Sequence, residues 1–294
     1  MATLAVHTVP KPVADLKNIL FATDFSEASM KAFPYAATLA KKFGAQVFAC
    51  HIITPTALVA AAPQAAPYLY EAERDAAEKG LEDVLRSPLL EGVNTKSVLS
   101  SGLLQDCVVD EIQNNNIDLV VAGTHGRTGW RRLLLGSAAE EICRSARCPV
   151  LTVGPELPPM PLAFKRILVP TDLSDESLRS LAIVVRLATA YGASVTVLHV
   201  LPEETAGNTD AKKLSEPIVK SMVNIFEPQL EPLKTEFIIE PGDTVETILR
   251  VAQEKKADLI AMDIRSAFLP GFNLRTSVAY RVTAGSYCPV VTCR

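Results

Sequence analysis

The chain has 294 residues, of which 48% are hydrophobic and 21% charged, and its formal net charge is −4. This length accommodates about two domains, and the composition is that of an ordinary globular protein. Acidic residues slightly outnumber basic ones in each half of the chain. Neither half therefore offers the basic surface that nucleic acid or an anionic membrane would attract.

Targeting and redox signals are weak. No apolar run reaches the ~18 residues of a membrane-spanning helix, and residues 1–4 lack the charged and apolar segments of a signal peptide. The six cysteines show neither a C-x-x-C pair nor the spacing of a zinc site. We interpret them as reduced core thiols of a cytoplasmic protein.

Apolar runs alternate with helical patterns along the first half of the chain. In chain order the sequence predicts a strand over 19–22, a helix over 29–43, a strand over 47–53, an Ala/Pro-rich loop over 55–67, a helix over 68–85, a strand over 96–99, a helix over 104–114, a strand over 119–122, a helix over 137–145 and a strand over 150–153. Continuous apolar strands between helices indicate a parallel sheet covered on both faces. The predicted fold is α/β, with an open, doubly wound, Rossmann-like parallel sheet.

The pattern occurs twice. Residues 18–26 match residues 166–174 at an offset of 148, and residues 118–120 match residues 258–260 at an offset of 140. A duplication of this length indicates two copies of one domain rather than a solenoid. We predict domains over 1–155 and 156–294, joined by a stiff Pro-rich linker over 154–161.

One loop of the first copy carries candidate chemistry. Gly123 follows the strand over 119–122, Gly126 lies three residues later, and Gly136-Ser137 opens the next helix. Glycines let a backbone approach a ligand closely, and the free N–H groups of a helix start favour an anion. The alternative is a structural turn that needs a positive φ.

The three glycines and the serine, at these intervals between a strand and a helix, resemble the motif of the nucleotide-binding branch of the universal stress protein family. The resemblance covers nearly the whole chain. It implies ATP, together with Mg²⁺, in the N-terminal domain. The residues that it places around the nucleotide are Ala22, Thr23, Asp24, Ile52, Ala122, Gly123, His125, Gly126, Arg127, Gly136 and Ser137.

Several of these residues also have structural interpretations. Asp24 is followed by Ser26 and Glu27 and suits a helix cap, whereas the family places an aspartate here against the base and ribose. Ile52 suits core packing as well as contact with adenine. Ser137 suits a helix N-cap as well as a phosphate contact, and the two roles are compatible.

Other polar side chains near the predicted site are less informative. Arg127, Arg131 and Arg132 lie in the loop, where a guanidinium pairs with phosphate oxygens or simply faces solvent. His51 and His199 lie at equivalent strand ends. We interpret both histidines as structural, because no carboxylate or cysteine clusters with them as a metal site requires.

The second copy departs from the motif. Its three glycines are replaced by Asp263, Ser266 and Thr276, and only the serine, Ser277, is retained. Cβ atoms block a close backbone approach, and a carboxylate repels a triphosphate by a few kcal/mol at ~4 Å and an effective dielectric of ~20. We therefore expect no ordinary ATP site in residues 162–294.

Together these observations favour a tandem universal stress protein with a regulatory or stress-response role, holding ATP in its N-terminal domain. No general base for an attacking water is evident, so we expect at most slow ATP hydrolysis. The rival hypothesis is an interaction scaffold whose paired domains do not depend on nucleotide. An efficient nucleotide hydrolase or ligase ranks third.

The expected assembly is a pseudo-dimer of the two domains within one chain, with a homodimer as the open alternative. The strands over 150–153 and 290–292 end the two copies, and exposed sheet edges invite pairing. Nucleic acid and membrane are not expected as partners.

Overall fold

The computed structural model describes residues 15–54, 66–124, 135–154, 157, 163–205, 211–264 and 277–294. The chain divides into two units, of which one contains Asp15–Leu162 and the other Ala163–Arg294. The predicted linker over 154–161 lies largely outside the described residues, as does the predicted loop over 55–67. The domain boundary at residue 155 therefore stays a prediction.

The N-terminal unit alternates strands and helices along its described part. The strands are β1 (Asn18–Ala22), β2 (Gln46–Ile53), β3 (Thr95–Ser101), β4 (Leu119–Gly123) and β5 (Val150–Val153), and the helices are α1 (Glu27–Met30), α2 (Phe33–Phe43), α3 (Ala66–Leu85), α4 (Leu104–Asn114) and α5 (Ser137–Ser145), with a 3-10 turn over Pro88–Leu90. The alternation confirms the predicted α/β class.

The five strands form a parallel sheet in the order β3-β2-β1-β4-β5. The chain builds outward from β1 to β2 and β3 on one side, then returns to place β4 and β5 on the other. The order therefore reverses between β1 and β4, which is where an open α/β sheet leaves a crevice beyond its carboxyl ends. Ile19, Leu20 and Phe21 of β1 are fully buried, as a central strand covered on both faces requires.

The helix predicted over 29–43 is two helices. The α1 helix ends at Met30, and α2 begins at Phe33 with Pro34 in its first turn. A proline ring inside a continuous helix would clash with the carbonyl group four residues earlier, here that of Met30. The break therefore follows from Pro34. At its other end α2 closes on Gly44, whose φ of 65° is left-handed, as a glycine after a helix commonly is.

The C-terminal unit repeats the arrangement. Its strands are β6 (Arg166–Thr171), β7 (Ser194–Leu201), β8 (Thr235–Pro241), β9 (Leu259–Asp263) and β10 (Val290–Cys293), and its helices are α6 (Leu181–Tyr191), α7 (Ala211–Leu230), α8 (Thr244–Glu254) and α9 (Val278–Gly285), with 3-10 turns over Asp175–Leu178 and Glu203–Thr205. The parallel order is β8-β7-β6-β9-β10. Among the helices described in either unit, none combines the length and the apolar character needed to cross a bilayer.

In each unit an aspartate at the equivalent position of the repeat anchors the start of the central strand. Asp118, just before β4, accepts hydrogen bonds from the backbone N–H groups of Lys17 and Asn18 at 2.8 and 2.9 Å. Asp258 makes the equivalent contacts at the start of β6. The aspartate thus has the same structural role in both copies, which is to accept hydrogen bonds from the backbone N–H groups at the strand start.

Candidate functional site

A cleft of about 300 Å³ opens at the carboxyl ends of β1, β2 and β4, at the switch point of the N-terminal sheet. Its walls come from α3, α4 and the first turn of α5. Of the eleven residues predicted to surround a nucleotide, eight line this cleft: Ala22, Thr23, Asp24, Ile52, Ala122, Gly123, Gly136 and Ser137. The fold thus brings together segments that lie far apart in the sequence.

The other predicted residues lie in the loop between β4 and α5. His125, Gly126 and Arg127 are outside the described residues, and so are Arg131 and Arg132. The described ends of the loop meet, because the backbone N–H of residue 136 donates to the carbonyl oxygen of residue 124 at 2.7 Å. The roles of the five loop residues stay predictions.

Asp24 shapes the turn after β1. Its Oδ1 accepts hydrogen bonds from the backbone N–H and the hydroxyl of Ser26, at 3.1 and 2.6 Å. Ser26 is the N-cap of α1, since its Oγ accepts from the backbone N–H of Ser29 at 3.1 Å. The cap is therefore Ser26 rather than Asp24. Asp172 makes the same turn with Ser174 in the second unit, which explains its retention there without a ligand.

Thr23 is already engaged within the protein. Its hydroxyl lies 3.0 Å from that of Ser29 and accepts from the backbone N–H of Phe25 at 2.9 Å. Its carbonyl oxygen accepts from Nδ1 of the buried His51 at 2.8 Å, so that nitrogen carries the proton. His199 makes the equivalent contact in the second unit. The structure supports the structural interpretation of both histidines. Because the hydroxyl and carbonyl groups of Thr23 are already hydrogen-bonded, this residue offers a ligand mainly van der Waals contact.

Gly123 is required by packing at the end of β4. Its φ lies outside the left-handed region, so the positive-φ explanation is wrong for this glycine. A Cβ atom here would lie 2.8 Å from the carbonyl oxygen of Ala28 and 2.8 Å from Cα of Ser29. The missing side chain therefore makes room for the backbone of α1, which is a different reason from the close approach of a phosphate predicted from the motif.

The first turn of α5 faces the cleft without a side-chain cap. Gly136 is the N-cap, with φ −62° and ψ 149°, and Ser137 is the first helical residue rather than the cap. The first N–H groups of an α-helix have no acceptor within the helix. Gly136, Ser137, Ala138 and Ala139 all line the cleft. Within the part of the chain that the structure describes, the helix end therefore presents unsatisfied donors and the positive end of its dipole to the cleft.

Sequence reasoning missed a second group of lining residues. Thr54, Glu73, Leu104, Val108 and Ile142 also face the cleft. The apolar members lie on helix faces that core packing would make apolar in any case. No motif marks Glu73, which is one of four glutamates on α3. Only the packing of α3 over the sheet distinguishes it from the others.

The C-terminal unit has its own cleft of about 440 Å³ at the equivalent sheet edge, lined by Asp172, His199, Asp263 and Ser277 among others. The start of α9, at this cleft, is capped by a side chain of the protein. Ser277 is the N-cap of α9, and its Oγ accepts from the backbone N–H of Tyr280 at 3.2 Å. One of the donors that a phosphate would use is therefore already satisfied.

Asp263 occupies the place of Gly123 in this second cleft. Its Oδ2 accepts from the hydroxyl of Ser180 at 3.0 Å, and its Oδ1 is buried without a hydrogen-bond partner among the described residues. Burial raises the pKa of Asp263 to about 7, with Asp172 adding to the rise, while Ser180 and Arg179 oppose it. The carboxyl group is thus partly ionised at neutral pH and unfavourable to phosphate.

The cysteines are free thiols. Cys50, Cys143, Cys288 and Cys293 are buried, and burial raises the pKa of Cys288 to about 11. Burial likewise raises the pKa of Cys148 to about 12, so little thiolate forms at neutral pH. In the part of the chain that the structure describes, His, Cys, Asp and Glu form no group of three that would hold a metal ion.

Comparison with known proteins agrees with this architecture. The profile of the universal stress protein family matches residues 15–154 and again residues 163–294. The chain belongs to this family. The match confirms the resemblance inferred from the glycine motif and confirms that the chain is a tandem repeat.

Named relatives match about half of the chain. A universal stress protein of Methanocaldococcus jannaschii is 31% identical over 138 residues, which are 47% of this chain and 81% of that protein. A universal stress protein A homologue of Coxiella burnetii is 32% identical over 143 residues, which are 47% of this chain and 95% of that protein.

Solved structures resemble the whole chain in fold. A universal stress protein from Archaeoglobus fulgidus has a TM-score of 0.64 at 20% identity, covering 94% of this chain and 98% of that one. A structure from Pseudomonas aeruginosa described as a putative universal stress protein has a TM-score of 0.64 at 17% identity, covering 95% and 93%. At these identities the likeness shows the fold alone.

The packing role of Gly123 predicts a loss of stability on substitution. Gly123→Ala should lower the free energy of unfolding by about 1–3 kcal/mol, because the new methyl group overlaps the backbone of α1. Chemical denaturation followed by circular dichroism measures it. The matched control is Gly154→Ala, whose Cβ would meet only ordinary contacts, the nearest at 3.7 Å. Equal midpoints for the two variants would contradict the packing role.

The raised pKa of Asp263 predicts a dependence of stability on pH. The folded state holds the proton more tightly than the unfolded chain, from the ordinary value of 3.8 up to about 7. Stability should therefore fall as pH rises from about 4 to about 7, by ~1–3 kcal/mol after screening by solvent. Asp263→Asn removes this titration and should be more stable than wild type at pH 8.

Denaturation of the full-length wild type and of Asp263→Asn at pH 5, 6, 7 and 8 measures this difference. Asp175→Asn is the control, since this carboxyl group lies in the nearby 3-10 turn rather than on the wall of the cleft. A difference between wild type and Asp263→Asn that stays constant across the series would show that Asp263 does not titrate in this range.

Proposed function

We propose that the N-terminal unit binds ATP, together with Mg²⁺, in the cleft at its switch point, and that the chain acts in a regulatory or stress-response role. The observation that carries the proposal is the start of α5. A nine-residue helix with a glycine N-cap presents uncapped N–H groups to a cleft between β1 and β4. That arrangement favours an anion such as a phosphate chain.

The cleft of about 300 Å³ spans three neighbouring strands and has both polar and apolar walls, which suits a nucleotide laid across the sheet. Ser137 and Ala138, in the first turn of α5, offer backbone N–H donors for phosphates at the β4 side. Asp24 follows β1, the next strand across, where its half-exposed carboxylate is an acceptor for ribose hydroxyl groups. Ile52, at the end of β2, supplies apolar surface for a base. This order along β4, β1 and β2 matches the order of phosphate, ribose and base in a nucleotide.

The ion would enter with the nucleotide. Mg²⁺ in nucleotide sites is commonly held by one or two carboxylates together with the phosphates and water. Asp24 is the carboxylate of the described residues that lies between the helix start and the base side of the cleft. We propose that Asp24 faces the ribose, and that any Mg²⁺ bound with ATP is held mainly by phosphate oxygens and water.

The C-terminal unit is not expected to bind ATP. Ser277 already satisfies an N–H of its own helix, and Asp263 places a partly ionised carboxyl group where Gly123 stands in the first unit. We propose one nucleotide per chain, held by the N-terminal unit, with at most slow hydrolysis. The proposal further places the protein in the cytoplasm, with neither nucleic acid nor membrane as partner.

The second candidate function is a non-catalytic interaction scaffold that does not depend on nucleotide. One observation favours it, namely that Asp24, Thr23 and Gly123 each have a structural role in the turn and helix after β1. In this alternative the two domains act as a pseudo-dimer within one chain, or the chain forms a homodimer. The two candidates differ in whether ATP binds at all.

Titration of the full-length protein with Mg-ATP in a calorimeter tests the proposal. We expect a single site per chain, because only one of the two helix starts is uncapped. Asp172→Ala, which alters the second cleft, should leave that stoichiometry unchanged. Two equivalent sites would contradict the assignment of the C-terminal unit, and the absence of heat and of competition with a fluorescent ATP analogue would favour the scaffold.

The N-cap itself offers a sharper test. Gly136 has extended backbone angles that any residue adopts, so Gly136→Asp should cap α5 with its own carboxylate. The variant should keep or slightly raise the melting temperature, yet lose at least about tenfold in ATP affinity, because the carboxylate occupies and repels the phosphate position.

The matched control for this substitution is Gly136→Ala, which adds a methyl group but neither a cap nor a charge. It should bind ATP more tightly than Gly136→Asp. If Gly136→Asp is folded and binds ATP as the wild type does, the helix start does not hold the phosphates.

A further inference from the structure

The α3 helix directs one carboxylate into the N-terminal cleft. Glu73 is half-buried and lines the cleft, whereas Glu71, Arg74 and Asp75 on the same helix are exposed. Arg74 pairs with Glu78, one turn further along the solvent face. Among the residues that the structure describes, Glu73 makes no hydrogen bond or ion pair. Its carboxylate oxygens thus accept no hydrogen bond from the described part of the chain.

The sheet order places Glu73 at the end of the cleft away from the start of α5. The α3 helix packs on β2 and β3, whereas α5 follows β4 on the other side of β1. Asp24, after β1, lies between these two ends. A ligand whose phosphates meet the first turn of α5 therefore extends toward Glu73 with its opposite end.

The cleft that Glu73 lines also has apolar walls. Ile52, Leu104 and Val108 line the same cleft, and Val108 is fully buried. A flat, mostly apolar group such as a nucleobase suits these walls. A carboxylate that loses water beside such a group must receive a hydrogen bond in exchange, or the binding free energy becomes less favourable.

We propose that Glu73 is a specificity-determining residue, whose carboxylate accepts a hydrogen bond from the exocyclic amino group of a nucleobase. This inference rests on the proposed function and deepens it. A negative charge cannot increase affinity for a triphosphate as such. Its contribution is selection, because bases that carry an amino donor satisfy the carboxylate and bases without one leave it unpaired.

The test compares two nucleotides that differ only in this donor. Purine riboside triphosphate is ATP without its 6-amino group. We expect the full-length wild type to bind Mg-ATP about tenfold more tightly than the magnesium complex of purine riboside triphosphate, as a charge-assisted hydrogen bond implies. In Glu73→Ala the ratio of the two affinities should fall to about one, even if both affinities rise because a negative charge has been removed.

Two further measurements separate this role from a structural one. Glu71→Ala removes the same charge from an exposed position on the same helix and should keep the tenfold ratio. The ratio of affinities for ATP and 2′-deoxy-ATP reports on the ribose, and Glu73→Ala should leave it unchanged. Glu73→Gln keeps the size of the side chain and an acceptor oxygen, so it should give an intermediate ratio and serves if the alanine variant is unstable.

The outcomes are distinct. A tenfold ratio that persists in a folded Glu73 variant overturns the assignment while leaving ATP binding intact. The assignment is also overturned if Glu73→Ala changes the ratio of affinities for ATP and 2′-deoxy-ATP but not the ratio for ATP and purine riboside triphosphate. That result would mean that Glu73 contacts the ribose rather than the base. A wild type that binds neither nucleotide overturns the proposed function as well.

Discussion

The parallel pairing of β1 with two neighbours is the constraint on which each unit depends. In the first unit Ile19 pairs with Val47 of β2 on one side and with Leu119 of β4 on the other. Since all three strands run the same way, their carboxyl ends meet at one edge, and the connections on the two sides diverge there. The resulting crevice exists before any functional residue is considered, and the two units contain the same crevice because they share the same strand order.

The chemical character of the crevice depends on a few positions on its wall. At the end of β4 the first unit has Gly123, which admits the backbone of α1, and the second has Asp263, whose buried oxygen lacks a partner among the described residues. At the helix start the first unit has Gly136, which has no side chain to cap the helix, and the second has Ser277, whose hydroxyl oxygen accepts from the backbone N–H of Tyr280. Two copies of one scaffold thus differ in the charge and in the helix capping of the crevice wall, although their core strands are equivalent.

Residues proposed to contact a ligand in this cleft also have structural roles. Asp24 holds the turn that Ser26 caps, and it also faces the cleft. The recurrence of the same turn around Asp172 shows that the aspartate is useful without a ligand. A residue that matches a binding motif is therefore weak support for binding when its contacts are already local. The first-turn N–H groups of α5 and the carboxylate of Glu73 are stronger support, because neither has a hydrogen-bond partner among the described residues.

The sequence by itself determined the tandem α/β architecture, since the apolar strand runs, their alternation with helices and the repeat at 148 residues depend only on local pattern. The family resemblance of its glycine motif pointed further to Asp24, Ile52 and Ser137, which line the cleft. Tertiary structure alone decided the rest. Why Gly123 must be glycine depends on how closely α1 approaches, and why Glu73 differs from Glu71 depends on which face of α3 packs over β2 and β3. Such facts arise from contacts between segments distant in the chain, and no local periodicity encodes them.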